Sequence, residues 1–135
     1  MDIDKALAIS ARGMDVQTAR LRTIAENLAN QDTTGSTPGA TPYRRKVITS
    51  ENRMDQALGT ETVRVKSISP DRSELPEKFD PSHPAADARG YVRTPNNNSF
   101  VEVMDMREAQ RGYSANLNVL EVTRSMLSRT IELLK

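Results

Sequence analysis

Cysteine is absent from this 135-residue chain. That excludes a structural disulfide, a thiolate zinc site and a cysteine nucleophile together. It also suits an oxidising compartment, where free thiols mispair. Tryptophan is absent too, aromatic residues make up 4% and hydrophobic residues 36%. That is a thin supply for a large globular core. An excess of either charge is lacking: 19 Lys and Arg stand against 18 Asp and Glu, a net charge of +1. Such a balance shows no global commitment to nucleic acid or to an anionic membrane. No run approaches the roughly 20 apolar residues of a membrane helix, so no membrane insertion is expected. The opening Met1-Asp2-Ile3-Asp4-Lys5 lacks the basic-then-apolar order of a cleaved signal peptide. There is no G-x-S-x-G nucleophile elbow, and no glycine-rich phosphate loop follows a strand.

Proline is missing from Ser99 to Lys135, and what stands there is periodic. Met106, Tyr113, Leu120, Leu127 and Leu134 recur every seven residues. Val103, Leu117 and Ile131 fill the register three residues earlier, which Gln110 and Arg124 interrupt. The spacing predicts an α-helix with one apolar seam. Ser99 with Glu102 reads as a capping box. A helix of this length spans roughly 50 Å at 1.5 Å per residue. A compact chain of this size has a radius of gyration of about 14 Å. The seam therefore cannot all be buried inside one monomer.

A second proline-free helix is expected over residues 4–29. Leu7, Met14, Leu21 and Leu28 recur every seven residues, with Ile3 and Ile24 in the companion register. Asp2 or Asp4 caps its start. Ser10, Ala11, Gln17 and Thr18 make the seam small or polar, so another helix can approach closely. Gly13 is either a tolerated surface glycine or a point of tight helix contact, at a cost of up to about 1 kcal/mol relative to Ala. Asn30 suits a left-handed terminus, and Thr33-Thr34-Gly35 ends the helix.

Residues 31–42 are turn and loop chemistry. Tyr43–Ser50 reads as extended, and Val63-Arg64-Val65-Lys66 alternates as a half-buried strand does. The two are expected to pair as a hairpin across residues 51–60, with Gly59 assisting the turn and a helical turn at Met54–Leu58 as the alternative. From Pro70 to Pro95 the prolines predict irregular chain, with one short strand at Gly90–Arg93. So long a loop is often functional or an interaction surface. The fold class is mainly α with a small β insert. Residues 1–30 and 99–135 pair as a coiled-coil-like unit bracketing the loop and hairpin segment 31–98.

Two constellations bear on chemistry. His83, the only histidine, sits in Asp80-Pro81-Ser82-His83-Pro84 and with Asp71, Asp80 and Asp87 sketches a metal site. One imidazole on a proline-stiffened turn is weak support, and side-chain hydrogen bonding within the turn explains the same residues. Tyr43, Arg44, Arg45 and Lys46 with Arg64 and Lys66 form a basic cluster able to meet a nucleic acid strand or an acidic neighbour. Without net positive charge, nucleic acid is disfavoured.

The segment Arg12-Gly13-Met14 to Leu21, with Ile24-Ala25-Glu26-Asn27-Leu28-Ala29-Asn30 and Thr33-Thr34, resembles the flagellar basal-body rod family. That signature is shared by rod, hook and related axial proteins. Pro42-Tyr43-Arg44-Arg45-Lys46, Asp80-Pro81-Ser82-His83-Pro84-Ala85-Ala86-Asp87 and Gly90-Tyr91-Val92 are similar to its proximal rod members. Glu108-Ala109-Gln110-Arg111-Gly112-Tyr113-Ser114-Ala115-Asn116 resembles the C-terminal family motif. Gly35-Ser36 and Gly112 depart from residues common in relatives. The motif residues singled out are Asn27, Leu28, Asn30, Thr33, Glu108, Gln110 and Arg111.

The resemblance implies a non-enzymatic structural subunit with no cofactor and no metal. It implies helical assembly with copies of itself and other rod proteins, within the periplasm, after passage through the flagellar type III export apparatus without a cleaved signal. The terminal helices would build the inner tube, with residues 31–98 outward. The expected assembly interface is Leu7, Met14, Leu21, Ile24, Leu28, Tyr113, Leu117, Leu120, Leu127, Ile131 and Leu134. The alternatives are another axial component of distal rod or hook type, an unrelated coiled-coil adaptor, or a small enzyme or metal protein built on His83.

Overall fold

The computed structural model describes residues 2–135. Helix α1 is Ile3–Ala29 and helix α2 is Ser99–Leu133. Between them lie strands β1 (Lys46–Asp55), β2 (Thr60–Pro70), β3 (Glu77–Phe79) and β4 (Tyr91–Arg93). The strands form two separate two-stranded sheets, β1 with β2 and β3 with β4. The chain divides into two compact units. One comprises Met1–Leu21, Ile48–Ser67 and Met106–Lys135; the other comprises Arg22–Val47 and Ile68–Asp105.

In the first unit α1 and α2 run antiparallel, because Gly13 faces Asn116 while Gln17 faces Gly112. Each glycine receives the amide side chain of the other helix. A Cβ on Gly13 would stand 2.8 Å from the Asn116 amide, and one on Gly112 would stand 3.0 Å from Gln17 Nε2. Gly13 is thus a point of close helix approach, not a surface glycine. Gly13→Leu is expected to overpack this contact and lower stability by about 1–3 kcal/mol. Urea unfolding checks it; an unchanged midpoint would refute the close packing.

The buried stripe of α2 combines the expected Met106, Tyr113, Leu120 and Leu127 with a different companion register. Glu102 and Ala109 are fully buried, and Asn116 and Thr123 are half-buried. Of the expected companions, Leu117 is half-buried while Val103 and Ile131 are exposed, as are Gln110 and Arg124, which interrupt that register. Residues four before and three after a seam position flank it as well as those on the other side do. Here the small or hydrogen-bonded side chains won, because they admit a neighbouring backbone that Val or Ile would hold off.

The hairpin is longer than its alternating core suggests. β1 runs to Asp55, so Met54 is in strand, and residues 56–59 make the turn. Asp55 Oδ1 accepts the Ala57 and Leu58 N–H groups at 3.1 and 3.4 Å. Gly59 closes the turn at φ +63°, which a side chain would resist. The segment expected to be irregular contains the β3–β4 sheet, with Glu77 opposite Arg93, Lys78 opposite Val92 and Phe79 opposite Tyr91. The prolines flank these short strands instead of interrupting them.

At the helix termini one expectation is narrowed and two change. Asp2 caps α1, its Oδ1 accepting Asp4 N–H at 3.1 Å. Asn30 is not left-handed; no described residue other than glycine has positive φ. Its amide instead donates to Glu26 O at 2.9 Å and accepts Thr33 Oγ1–H at 3.1 Å. At α2 the cap is Asn98, whose Oδ1 accepts Phe100 and Val101 N–H at 3.1 and 3.4 Å. Ser99 is already helical, and Glu102 does not fold back to make a capping box. Its carboxylate is committed elsewhere.

Candidate functional site: a polar clasp and an uncovered helix face

The second unit is organised by a buried polar clasp. Asn27, 1% exposed near the end of α1, pairs with the Lys46 backbone as a neighbouring strand would. Its Nδ2 donates to Lys46 O at 2.9 Å and its Oδ1 accepts Lys46 N–H at 2.9 Å. The same Oδ1 accepts the Tyr43 hydroxyl at 2.8 Å. Nδ2 also lies 3.4 Å from both carboxylate oxygens of Glu102. Asn97 donates to the Asn27 carbonyl.

Glu102 is fully buried, and Arg45 answers its charge through a short Nε contact. Arg45 also reaches Asp105 at 3.4 Å and Asp71 at 3.5 Å. Asn96 holds the Arg45 backbone, its Oδ1 accepting Arg45 N–H at 2.8 Å. The Asn96 amide donates to Asp71 O at 3.1 Å. Four stretches of chain meet here: the end of α1, residues 43–46, residues 71–73 and the start of α2.

Burial alone would weaken the Arg45 charge, but the hydrogen bond it donates to Glu102 and the charges of Glu102, Asp105 and Asp71 outweigh it and raise its pKa. Burial also raises the Tyr43 hydroxyl, keeping it a neutral donor to Asn27. The Glu26 hydrogen bond and charge raise Lys46. The Ser73 backbone N–H, then its hydroxyl, lowers Asp71. The Tyr91 backbone N–H likewise lowers Asp87, with Arg89 adding to it.

Lowered carboxylates contribute stability above their unfolded value, about 3.9, and lose it as pH falls through the folded value. Raised Lys46 and Arg45 contribute below their unfolded values and fail only at strongly alkaline pH. Stability is therefore expected to be flat around neutrality and to fall below about pH 4. Asp71→Asn should make that acid slope shallower in urea titrations. An unaltered slope would remove Asp71 from the clasp's pH response.

Four members of the basic cluster are engaged within the chain. Arg45 has its three carboxylates, and Lys46 pairs with Glu26 at 2.9 Å. Arg64 meets Asp55 at 3.3 Å. Arg44 donates to the carbonyls of Asp71 and Ser73 at 3.1 and 3.0 Å. Lys66, the remaining basic member of the cluster, is exposed. His83 spends both ring nitrogens on structure: Nδ1 accepts Ala85 N–H at 3.0 Å, so Nε2 carries the proton and donates to Thr34 Oγ1 at 3.1 Å. Among the described residues no three His, Asp or Glu side chains converge as metal ligands.

Of the expected interface residues, Ile24 is 4% exposed. Leu7, Met14, Leu21, Leu28, Tyr113, Leu117, Leu120 and Leu127 are half-buried. Ile131 and Leu134 stand 49% and 82% exposed. Apolar periodicity passed over Val119, Val122, Met126 and Leu133, all at least half exposed on α2. Their spacings of three, four and seven mark a second stripe. Among motif residues, Asn27 holds the clasp, Asn30 and Thr33 close the α1 terminus, and Glu108, Gln110 and Arg111 are exposed. Sequence reasoning missed the roles of Glu102 and Arg45, having read one as a cap and the other as part of a cationic patch.

The chain is similar to the flagellar basal-body rod protein FlgC of Agrobacterium fabrum, 47% identical over 98% of this chain and 96% of the relative. The chain belongs to the FlgC family. The FlgC of Aquifex aeolicus is 40% identical over 98% of this chain and 97% of its own length. That of Salmonella typhimurium is 38% identical over 93% and 92%. Residues 88–133 match the model described as the flagellar basal body rod FlgEFG protein C-terminal. That match takes in the 108–116 motif. As a FlgC-family member the protein is a structural subunit of the basal-body rod, and its place is the flagellar basal body. The hook-type and unrelated adaptor readings are not favoured.

Proposed function

We propose that the protein completes its hydrophobic burial only on assembly, through the terminal helices. The observation that carries this is the exposure of Val119, Val122, Met126, Ile131 and Leu133 along α2 and of Leu134 just beyond it. Among the described residues the buried hydrophobic core is only Val16, Ile24, Ala85, Val92 and Ala109. Covering the α2 residues against neighbouring copies and other rod proteins gains about 25 cal/mol per Å² of apolar surface. A head-to-tail contact that does not close by rotation extends into a helical polymer.

In this reading residues 1–30 and 99–135 form the inner axial core and residues 31–98 face outward. The subunit is non-enzymatic and needs no cofactor. It travels through the flagellar type III export apparatus without a cleaved signal and assembles in the periplasm, as the family resemblance implies. Leu120→Asp tests the core: a buried charge in the seam is expected to stop incorporation into rods and abolish motility. Normal swimming with this variant as the sole copy would defeat the proposal.

A further inference from the structure

The β3–β4 sheet has two unlike faces. Because side chains alternate along a strand, Glu77, Phe79, Tyr91 and Arg93 share one face and Val92 takes the other. Val92 is 2% exposed, so that side is the packed one. The opposite side is open, with Phe79 62% and Tyr91 39% exposed. The chain has only five aromatic residues, three Tyr and two Phe, and two of them stand in solvent here. Their rings meet edge to face at 5.3 Å, and Arg89 lies 5.5 Å from the Tyr91 centroid. The turn behind them is fixed: Asp87 Oδ1 accepts Arg89 and Tyr91 N–H at 2.8 and 3.0 Å.

A cleft of about 310 Å³ adjoins Tyr91, lined by Glu77, Asp87 and Arg93 and by the small residues Gly39 and Ala40. That is the small end of ligand clefts, about 300–1,000 Å³, and suits a ring-sized group. Two carboxylates and two guanidinium groups cancel around it, which favours a neutral ligand. Asp87 has both oxygens committed to Arg89 and backbone. Glu77 lies 3.7 Å from Arg89, and Arg93 reaches only Gly39 O at 3.5 Å. Those two retain hydrogen-bonding capacity, one as acceptor and one as donor.

We propose that this face binds a neutral saccharide. A pyranose ring lays its C–H face on Tyr91, which Phe79 props edge-on, and its hydroxyls donate to Glu77 and accept from Arg93. A polyanion would meet the two carboxylates. A wholly apolar segment would strand Glu77 and Arg93 without water. This site is independent of the assembly surface on α2.

The test is a titration of the full chain with cellohexaose and with the N-acetylglucosamine hexamer, followed by amide chemical shifts. Saturable shifts centred on Phe79, Tyr91 and Arg93 with either sugar are expected. Tyr91→Ala should weaken binding at least about tenfold and Tyr91→Phe far less. Arg93→Gln, an exposed change, should weaken it severalfold with the circular dichroism spectrum unaltered. No saturable shift with either sugar overturns the proposal. So does a heparin fragment or a proline-rich peptide saturating this face when the sugars do not.

Discussion

Asn27→Asp is expected to destabilise the second unit by about 3–5 kcal/mol, the range seen when a buried charge loses its compensation. The substitution preserves shape and changes one group from donor to acceptor. The bond to Lys46 O is lost. A carboxylate replaces the amide 3.4 Å from both oxygens of Glu102. Arg45 already serves Glu102, Asp105 and Asp71 and has no further charge to offer. Against a stability of about 5–15 kcal/mol, such a loss brings much of the population to the unfolded state. The sign with pH is fixed as well. An acid at position 27, buried beside a like charge, has its folded pKa raised, so the penalty shrinks as pH falls. Urea unfolding of both proteins at pH 7 and at mildly acid pH measures it. A penalty below about 1 kcal/mol at pH 7 would show that the clasp is ornamental. Tyr43→Phe, which removes one donor to Asn27, should cost only about 1 kcal/mol.

Val122→Glu combined with Met126→Lys should give the opposite pattern: an intact monomer and no rods. Val122 and Met126 are 59% and 60% exposed, so exchanging them costs little in the free chain, within about 0.5 kcal/mol. Glu and Lys four apart in that order are a favourable helical pair, which guards the helix against the change. In an assembled interface the same pair would be desolvated where two apolar side chains had been covered. Complementation of a strain lacking the native subunit is expected to leave cells non-motile. The purified variant is expected to keep an unchanged unfolding midpoint. Full motility would mean that this stripe stays in water and that other surfaces carry assembly.

These two substitutions separate what holds the subunit from what joins it to others. Periodicity alone places both kinds of residue on helices without telling them apart. The seven-residue recurrence from Met106 to Leu127 was read correctly because it depends on local spacing. The companion register holds only at Leu117, because Val103 and Glu102 are both acceptable neighbours of Met106 by geometry. What chose Glu102 was a guanidinium arriving from residue 45 and an amide from residue 27, both distant in sequence. The β3 strand went unread for a similar reason: three residues between prolines carry no periodicity, and only Tyr91–Arg93 across from them makes Glu77–Phe79 a strand.

Sequence by itself determined the two proline-free amphipathic helices, the turn-rich middle, the lack of thiol chemistry and the family motifs. Each is a property of composition or of spacing within one element. Tertiary structure decided which face of α2 is covered, that Gly13 and Gly112 admit amide side chains from the opposite helix, and that Arg45 is the partner of the buried Glu102. The physical reason is that desolvation and hydrogen-bond satisfaction are set by groups from other segments. The charge of a glutamate is written in the chain, but what neutralises it depends on what the fold brings beside it.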